Sequence, residues 1–140
     1  ITLIVDGKLR GCTGSAFAHR SLVADVAQNA FGSAFSDPRF QPLAAKEAAH
    51  IETELSVLTA PEDVDFTDEA DLLSKIRPGI DGLILTSGER RGLFLPQVWE
   101  QVSDAVEFLA HLKIKAGLDA GFWSADVRIQ RFEAVKAPKD

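Results

Sequence analysis

The 140-residue chain contains one cysteine, three histidines, no methionine and no tyrosine. A single cysteine excludes an internal disulfide and a structural zinc site built from several thiolates, and it is typical of proteins from a reducing cytosol. The sequence has no apolar run of the ~18 residues that a membrane-spanning helix requires. A net charge of −6 disfavours binding along a nucleic-acid backbone, which requires a dense basic surface. We therefore expect a cytoplasmic protein that does not bind membranes, and nucleic acid is its least favoured partner.

The signatures of several common enzyme classes are also absent. The sequence has no P-loop, no Gly-x-Gly-x-x-Gly motif, no His-Glu-x-x-His and no Gly-x-Ser-x-Gly. The spacing of His19, His50 and His111 is not that of metal ligands. The sequence therefore predicts neither a metal site nor a cofactor. His19 could still pair with the only cysteine, although a surface histidine at the start of a helix is the simpler interpretation.

The apolar content of 46%, with nine Phe and two Trp, is enough for the core of one domain spanning residues 1–140. Apolar periodicity and turn residues predict strands at 1–5, 9–12, 51–59, 82–86, 92–95 and 125–134. The same signals predict helices at 21–35, 44–50 and 69–76, a further helix that Ser103 caps and Gly117 ends, and a polar tail at 136–140. Hairpins with scattered helices, rather than βαβ units, indicate an α+β fold with a largely antiparallel sheet flanked by helices.

Two of these elements carry specific side-chain patterns. In the helix at 21–35, the polar residues Asp25, Asn29 and Ser33 share one face, and a wide apolar stripe occupies the other. The stripe consists of Leu22, Val23, Val26, Ala27, Ala30, Phe31 and Ala34. In the strand at 51–59, alternation places Ile51, Thr53, Leu55 and Val57 on one side of the sheet.

The candidate site is the segment 9–14, which reads Leu-Arg-Gly-Cys-Thr-Gly. Gly11 and Gly14 are expected to distort the strand, either at a bulge or where another backbone approaches closely. Strand alternation places Arg10 and Cys12 on one face, where the guanidinium favours the thiolate form of the cysteine. Three roles for Cys12 remain open: a nucleophile or covalent carrier, a residue that lines a binding site, and a packed thiol.

Further polar residues could complete a site around this segment. Arg39 and Arg91, together with Arg10, could clamp a carboxylate or phosphate. Asp37 could be a general base or a guanidinium partner, or could simply form a turn. Glu54 and Asp81 have the same alternatives, and Gln97 could orient a ligand. The predicted site residues are Arg10, Gly11, Cys12, Gly14, Asp37, Arg39, Arg91 and Gln97.

Five segments in this order resemble one known family: Leu-Arg-Gly-Cys-Thr-Gly at 9–14, Phe-Ser-Asp-Pro-Arg-Phe at 35–40, and the segments 55–59, 79–82 and 91–99. The chain resembles the AMME-syndrome candidate protein family, known in microbes as AmmeMemoRadiSam system protein A, over nearly its whole length. It departs from the family at Thr13, where Ile is usual, at Leu93, where Thr is frequent, and at Pro78, where many members have His or Glu.

The resemblance implies an α+β fold with a larger and a smaller lobe and a cleft lined by the 9–14 segment. It also implies a native N-terminal helix that this chain lacks, and an association with a Memo-type protein and a radical S-adenosylmethionine enzyme. It does not supply an activity, because the biochemical role of the family is unsettled.

Two functions follow as alternatives, with a third behind them. In the first, the protein is an enzyme or enzyme component in which Cys12 acts on a small anionic substrate held by Arg10 and Arg39. In the second, it is a non-catalytic module that holds a peptide, a nucleotide or a partner protein. A nucleic-acid-associated regulatory role is third, because the net charge opposes it.

Overall fold

The computed structural model describes residues 1–138 and divides the chain into two units. The first unit comprises Ile1–Leu58 and the residues from Val135 on, and the second comprises Thr59–Ala134. The strands are β1 Thr2–Val5, β2 Lys8–Cys12, β3 Ile51–Glu54, β4 Ser56–Leu58, β5 Glu62–Asp63, β6 Gly82–Ser87, β7 Arg90–Phe94, β8 Arg128–Phe132 and β9 Ala134–Lys136. The helices are α1 Leu22–Phe35, α2 Glu69–Lys75 and α3 Ala105–Lys115, with 3₁₀ helices at Ala45–His50 and Pro96–Glu100. Of the predicted polar tail at 136–140, residues 139 and 140 lie outside the described residues.

The first unit is built on an antiparallel sheet in the order β2-β1-β3. Asp6 and Gly7 form the β1–β2 turn with φ of 52° and 76°, as a two-residue hairpin turn with two positive φ angles requires. The strands predicted at 1–5 and 9–12 are therefore present and form an antiparallel hairpin.

A β-bulge interrupts β2 inside the candidate segment. Leu9 pairs with Ile4 and Gly11 pairs with Leu3, so Arg10 is an extra residue without a partner in β1. A Cβ atom on Gly11 would lie 1.9 Å from the carbonyl oxygen of Ser33 in α1. Both distortions expected at this glycine, the bulge and the close backbone approach, are present. Because the bulge breaks the alternation of side chains, strand periodicity does not determine whether the side chains of Arg10 and Cys12 lie on the same face of the sheet.

Helix α1 packs on β2 with its polar face rather than with its apolar stripe. Ser33 is 1% exposed, whereas Val23 is 82% exposed and Phe31 is 63% exposed. An amphipathic helix ordinarily turns its apolar side to the core. Here the close approach at Gly11 leaves room only for small side chains between β2 and α1. Thr13 lies at this contact and donates its hydroxyl to the carbonyl of Asn29 at 2.7 Å.

The predicted single strand at 51–59 is wrong, because the chain changes partners at Leu55. Strand β3 pairs with β1, whereas β4 pairs with β9 in a separate two-stranded sheet. The carbonyl of Leu55 accepts the amide of Ala137 at 2.8 Å, which marks the change. The predicted alternation therefore fails beyond it, and Val57 is exposed while Leu58 is half-buried.

The second unit is built on an antiparallel sheet in the order β5-β8-β6-β7. The predicted hairpin at 82–95 is confirmed as β6–β7, with a two-residue turn at Gly88 and Glu89 that is shorter than expected. The predicted strand at 125–134 is shorter and ends at Phe132, after which β9 begins.

Helix α3 covers this sheet with a buried stripe that includes Phe108, Leu109 and Leu112. Its N-cap is Asp104, which accepts the amide of Glu107, and not Ser103 as predicted. Ser103 instead donates its hydroxyl and its amide to the Glu107 carboxylate. The buried cluster that α2, α3 and the sheet share is Leu72, Ile76, Leu83, Leu85, Phe108, Leu109, Leu112, Ala116, Val127 and Ile129.

The architecture is α+β with antiparallel sheets, as the sequence predicts. Across residues 1–138, no helix is both long and apolar enough to span a bilayer.

Candidate functional site

The thiol of Cys12 lies at the outer edge of the first unit's sheet. Thr13 and Ile1 exchange backbone hydrogen bonds at 3.2 and 3.0 Å, which makes the next pair, Thr2 and Cys12, a non-hydrogen-bonded pair whose side chains approach closely. The Thr2 Oγ1 and Cys12 Sγ atoms are 3.3 Å apart. The thiol is half-buried, and the amide of Cys12 points away from β1 toward the edge of the sheet.

The carboxylate of Asp37 accepts this edge amide. Helix α1 ends at Phe35, and the loop after it places Asp37 Oδ2 3.1 Å from the nitrogen of Cys12. The other oxygen, Oδ1, accepts the amide of Arg39 two residues on, in an Asx turn. Asp37 is 5% exposed, so an amide that the sheet leaves unpaired is satisfied by a buried carboxylate.

The side chain of Arg39 binds the same carboxylate. Its Nε donates to Oδ1 of Asp37 at 3.0 Å and its Nη2 donates to Oδ2 at 2.7 Å, in a bidentate pair. The guanidinium holds the pKa of Asp37 well below its usual range, and the amides of Arg39 and Cys12 add to this effect. The pKa of Arg39 is raised, chiefly by the hydrogen bonds of its side chain to Asp37. A carboxylate with so low a pKa is a poor general base, which favours Asp37 as the partner of a guanidinium.

Arg10 forms a second ion pair with Glu47 of the 3₁₀ helix. Its Nε donates to Oε2 of Glu47 at 2.8 Å, and its Nη2 donates to Oε1 at 3.2 Å and to the carbonyl of Gln41 at 2.8 Å. The hydrogen bond from Arg10 and the amide of Ala44 lower the pKa of Glu47 to about 2. The side chains of the pair are 15% and 24% exposed, so Arg10 is largely occupied inside the protein.

The ring of Phe40 lies near the arginine of each ion pair. The guanidinium carbons of Arg10 and Arg39 lie 5.8 and 5.4 Å from the ring centroid of Phe40, within the range of cation–π attraction. We refer to Arg10, Cys12, Asp37, Arg39, Phe40 and Glu47 as the motif cluster. Sequence reasoning missed two of its members. Glu47 lies 37 residues from Arg10 in the chain, and Phe40 ends the 35–40 segment, where no pattern marks it as a partner of the arginines.

Three further predicted site residues, Gly14, Arg91 and Gln97, are exposed. Gly14 is exposed, with open space where a Cβ atom would be. Arg91 on β7 and Gln97 in the following 3₁₀ helix are exposed and belong to the second unit. The ring of exposed His19 contacts the carbonyl of Phe17 and the side chain of Arg20.

The two other carboxylates considered from the sequence are partners of cations. Asp81 is fully buried and accepts the amide and the guanidinium of Arg77, while Glu54 lies 3.5 Å from Lys136. Within residues 1–138, no group of three or more His, Cys, Asp or Glu side chains is arranged to hold a metal ion.

Comparison with known proteins shows similarity over almost the whole chain. The AMMECR1 family model matches residues 1–137. A protein of Methanothermobacter thermautotrophicus is 42% identical over 136 residues, which cover 96% of this chain and 71% of that protein. Protein MJ0810 of Methanocaldococcus jannaschii is 43% identical and is covered to 65%, with 92% of this chain matched.

A solved structure is similar as well. The crystal structure of the uncharacterized protein PH0010 from Pyrococcus horikoshii superposes with a TM-score of 0.83 at 38% identity, covering 95% of this chain and 68% of that one. The chain thus spans about two thirds of the length of the proteins it resembles. The match to the family model and these relatives confirm the resemblance drawn from the five sequence segments, and the chain belongs to the AMMECR1 family.

Proposed function

We propose that the motif cluster is the functional site of this chain, and that it binds a small anionic substrate at Arg39 beside the thiol of Cys12. One observation carries the proposal: the amide of Cys12 and the guanidinium of Arg39 donate to the same oxygen of Asp37. A buried carboxylate thereby holds a cation and a potential nucleophile at one point of the fold.

Arg39 suits an external anion better than Arg10 does. The Arg39 side chain is 55% exposed. It uses two of its five N–H groups on Asp37, so three remain for a ligand. Arg10 is committed to Glu47 and Gln41, and its Nη1 atom is buried without an acceptor among the described residues.

The chemistry that fits this arrangement is covalent catalysis by a cysteine. The thiolate of Cys12 forms a bond to an electrophilic carbon of the substrate, and the displaced group leaves with its electron pair. Arg39 holds the anionic part of the substrate and orients that carbon. In this proposal the protein is an enzyme or enzyme component, working with the Memo-type and radical S-adenosylmethionine proteins that the sequence resemblance implies.

A second candidate function is a binding module that performs no reaction. The observation in its favour is that the described contacts of Cys12 supply no general base. Asp37 has too low a pKa for that task, and the contacts of His19 lie within its own segment. In that case Cys12 lines a site that recognises the anion alone.

Alkylation with two reagents of different charge tests the first proposal. Iodoacetate and iodoacetamide carry the same reactive carbon, and only iodoacetate is an anion. We expect the iodoacetate-to-iodoacetamide rate ratio at Cys12, measured by intact-protein mass spectrometry, to be higher in the folded protein than in urea. Arg39→Gln lowers the ratio, whereas Lys8→Gln, which removes an exposed cation from the same strand, leaves it unchanged.

Two results would decide against the proposal. Absence of labelling in the folded protein, with normal labelling in urea, rejects thiol chemistry at Cys12. Labelling without any preference for iodoacetate rejects the anion site. If Cys12→Ser retains full activity in cells while Arg39→Gln does not, the binding module is the correct alternative.

A further inference from the structure

A groove of about 410 Å³ lies in the second unit, between residues 63–67 and 123–129. These two segments are joined at one end, where Asp63 pairs with Gln130 and the amide of Val64 donates to the carbonyl of Ile129 at 2.9 Å. The groove lies alongside this last backbone bond. None of its lining residues belongs to the motif cluster, so it is a separate candidate site.

The lining of the groove combines buried apolar side chains with two aromatic rings. Val127 and Ile129 are 6% and 2% exposed and also belong to the core. The rings of Phe66 and Trp123 are tilted by 57° with centroids 5.6 Å apart. Lys113 lies 5.7 Å from the ring of Trp123 and helps to hold it. The lining is more polar than apolar, with Phe66 and Trp123 as its aromatic part, and a volume of this size is typical of sites for small molecules.

The charged lining residues are two carboxylates and one guanidinium. Asp63, Asp65 and Arg128 are all exposed, and no ion pair within residues 1–138 engages them. The one interaction of Asp65 with a cation is through its backbone carbonyl, which accepts from Lys75 at 2.6 Å. The carboxylates therefore outnumber the cation and are free to receive a positive group.

We propose that this groove binds a small molecule that carries one primary ammonium group on an apolar body. The apolar body contacts Phe66, Trp123 and Val127, where burial of apolar surface supplies the attraction. The ammonium group lies toward Asp63 and Asp65, and the ring of Phe66 favours a cation further. Arg128 repels a second positive charge and so selects monocations. A carboxylate of the same shape would meet two negative charges.

Titration with three molecules of one shape and different charge tests this assignment by NMR. The probes are phenethylamine, the neutral 2-phenylethanol and the anionic 3-phenylpropionate. The readout is the indole N–H signal of Trp123, distinguished from that of Trp99 with a Trp123→Phe variant. We expect saturable shifts of Trp123 and of the 63–67 amides, with the amine binding tightest and the carboxylate weakest. The signal of Trp99 stays in place, because its indole donates to the carbonyl of Asp81 away from the groove lining.

A paired charge variant separates the charge effect from the shape effect. Asp63→Asn combined with Asp65→Asn is expected to weaken phenethylamine about fivefold, the size of about 1 kcal/mol from exposed ion pairs, and to leave 2-phenylethanol unchanged. Glu89→Gln in the β6–β7 turn is the matched control and changes neither. Both substituted carboxylates are exposed, so the variant is expected to keep the spectrum of a folded protein.

Three results would overturn the proposal. They are no saturable shift of Trp123 with any probe, binding of 3-phenylpropionate as tightly as the amine, and an unchanged amine affinity in the paired Asp variant. These outcomes are independent of the alkylation of Cys12, because the two sites share no residue.

Discussion

Cys12 and Arg39 donate to one oxygen atom: the backbone nitrogen of Cys12 lies 3.1 Å, and Nη2 of Arg39 2.7 Å, from Oδ2 of Asp37. Asp37 thus couples the edge of the sheet to the loop that follows α1. Removing this carboxylate should release the Arg39 guanidinium from its place beside the backbone of Cys12, even though both side chains remain.

The first prediction concerns Asp37→Asn. The amide side chain keeps the shape but loses the charge that holds Arg39, so we expect a lower melting temperature and an iodoacetate preference reduced toward that of Arg39→Gln. Asp81→Asn is the control, because Asp81 is a buried partner of Arg77 in the second unit. It should lower the melting temperature while the labelling ratio at Cys12 stays as in the wild type. An unchanged ratio in Asp37→Asn would contradict the positioning role.

The second prediction is the pH dependence of the Arg10–Glu47 pair. The pKa of Glu47 falls from 4.5 to about 2 on folding, so the folded state binds the proton less tightly than the unfolded chain does. The pair therefore stabilises the fold fully above pH 4.5, and its contribution declines as the pH falls toward 2. We expect the difference in urea midpoint between wild type and Glu47→Gln to shrink over this range. A difference that stays constant with pH would show that the charge of Glu47 contributes nothing.

The third prediction compares two glycines of one segment. Gly11→Ala places a Cβ atom 1.9 Å from the Ser33 carbonyl oxygen, so strand and helix must separate. We expect unfolding free energy to fall by about 2 kcal/mol or more, as overpacking of a tight contact does. Gly14→Ala meets nothing within 4 Å and should change stability by no more than about 0.5 kcal/mol. Equal effects at the two positions in chemical denaturation would contradict the close approach.

The fourth prediction reverses the usual expectation for an amphipathic helix. Ser33→Val replaces a buried hydroxyl that bonds to Thr13, Ile1 and Asn29, and we expect it to cost about 2 kcal/mol. Val23→Gln alters a side chain that is 82% exposed and should stay within about 0.5 kcal/mol of wild type. Denaturant unfolding of the two variants measures both values. A larger loss for Val23→Gln would mean that the apolar stripe faces a core after all.

Features encoded by neighbouring residues were predictable from the sequence. The strands predicted at 1–5 and 9–12 are separated by Asp6 and Gly7, which suit a turn with positive φ, and Gly117, with φ of 85°, ends α3 as predicted. The proximity of Asp37 and Arg39 also follows from a short fixed loop. Such features need no knowledge of the remote chain.

Features that depend on distant chain segments were not predictable. The inward face of α1 is set by the contact at Gly11, which overrides the apolar stripe, since hydrogen bonds to Thr13 satisfy the polar side. The break at Leu55 arises because a new partner, β9, comes from the far end of the chain. Glu47 could not be assigned to Arg10, because no pattern in one sequence relates positions 37 residues apart.

The chain passes from the first unit to the second after Leu58 and returns after Ala134. Thr59 donates its amide to the carbonyl of Glu133 at 2.8 Å, and its hydroxyl accepts the amide of Glu133 at 2.8 Å. Residues 59–134 are therefore an insertion in the chain of the first unit, and the two ends of the insertion are hydrogen-bonded to each other through Thr59 and Glu133. Cutting it out and bridging the gap with a short turn leaves the covalent path of the surrounding polypeptide intact.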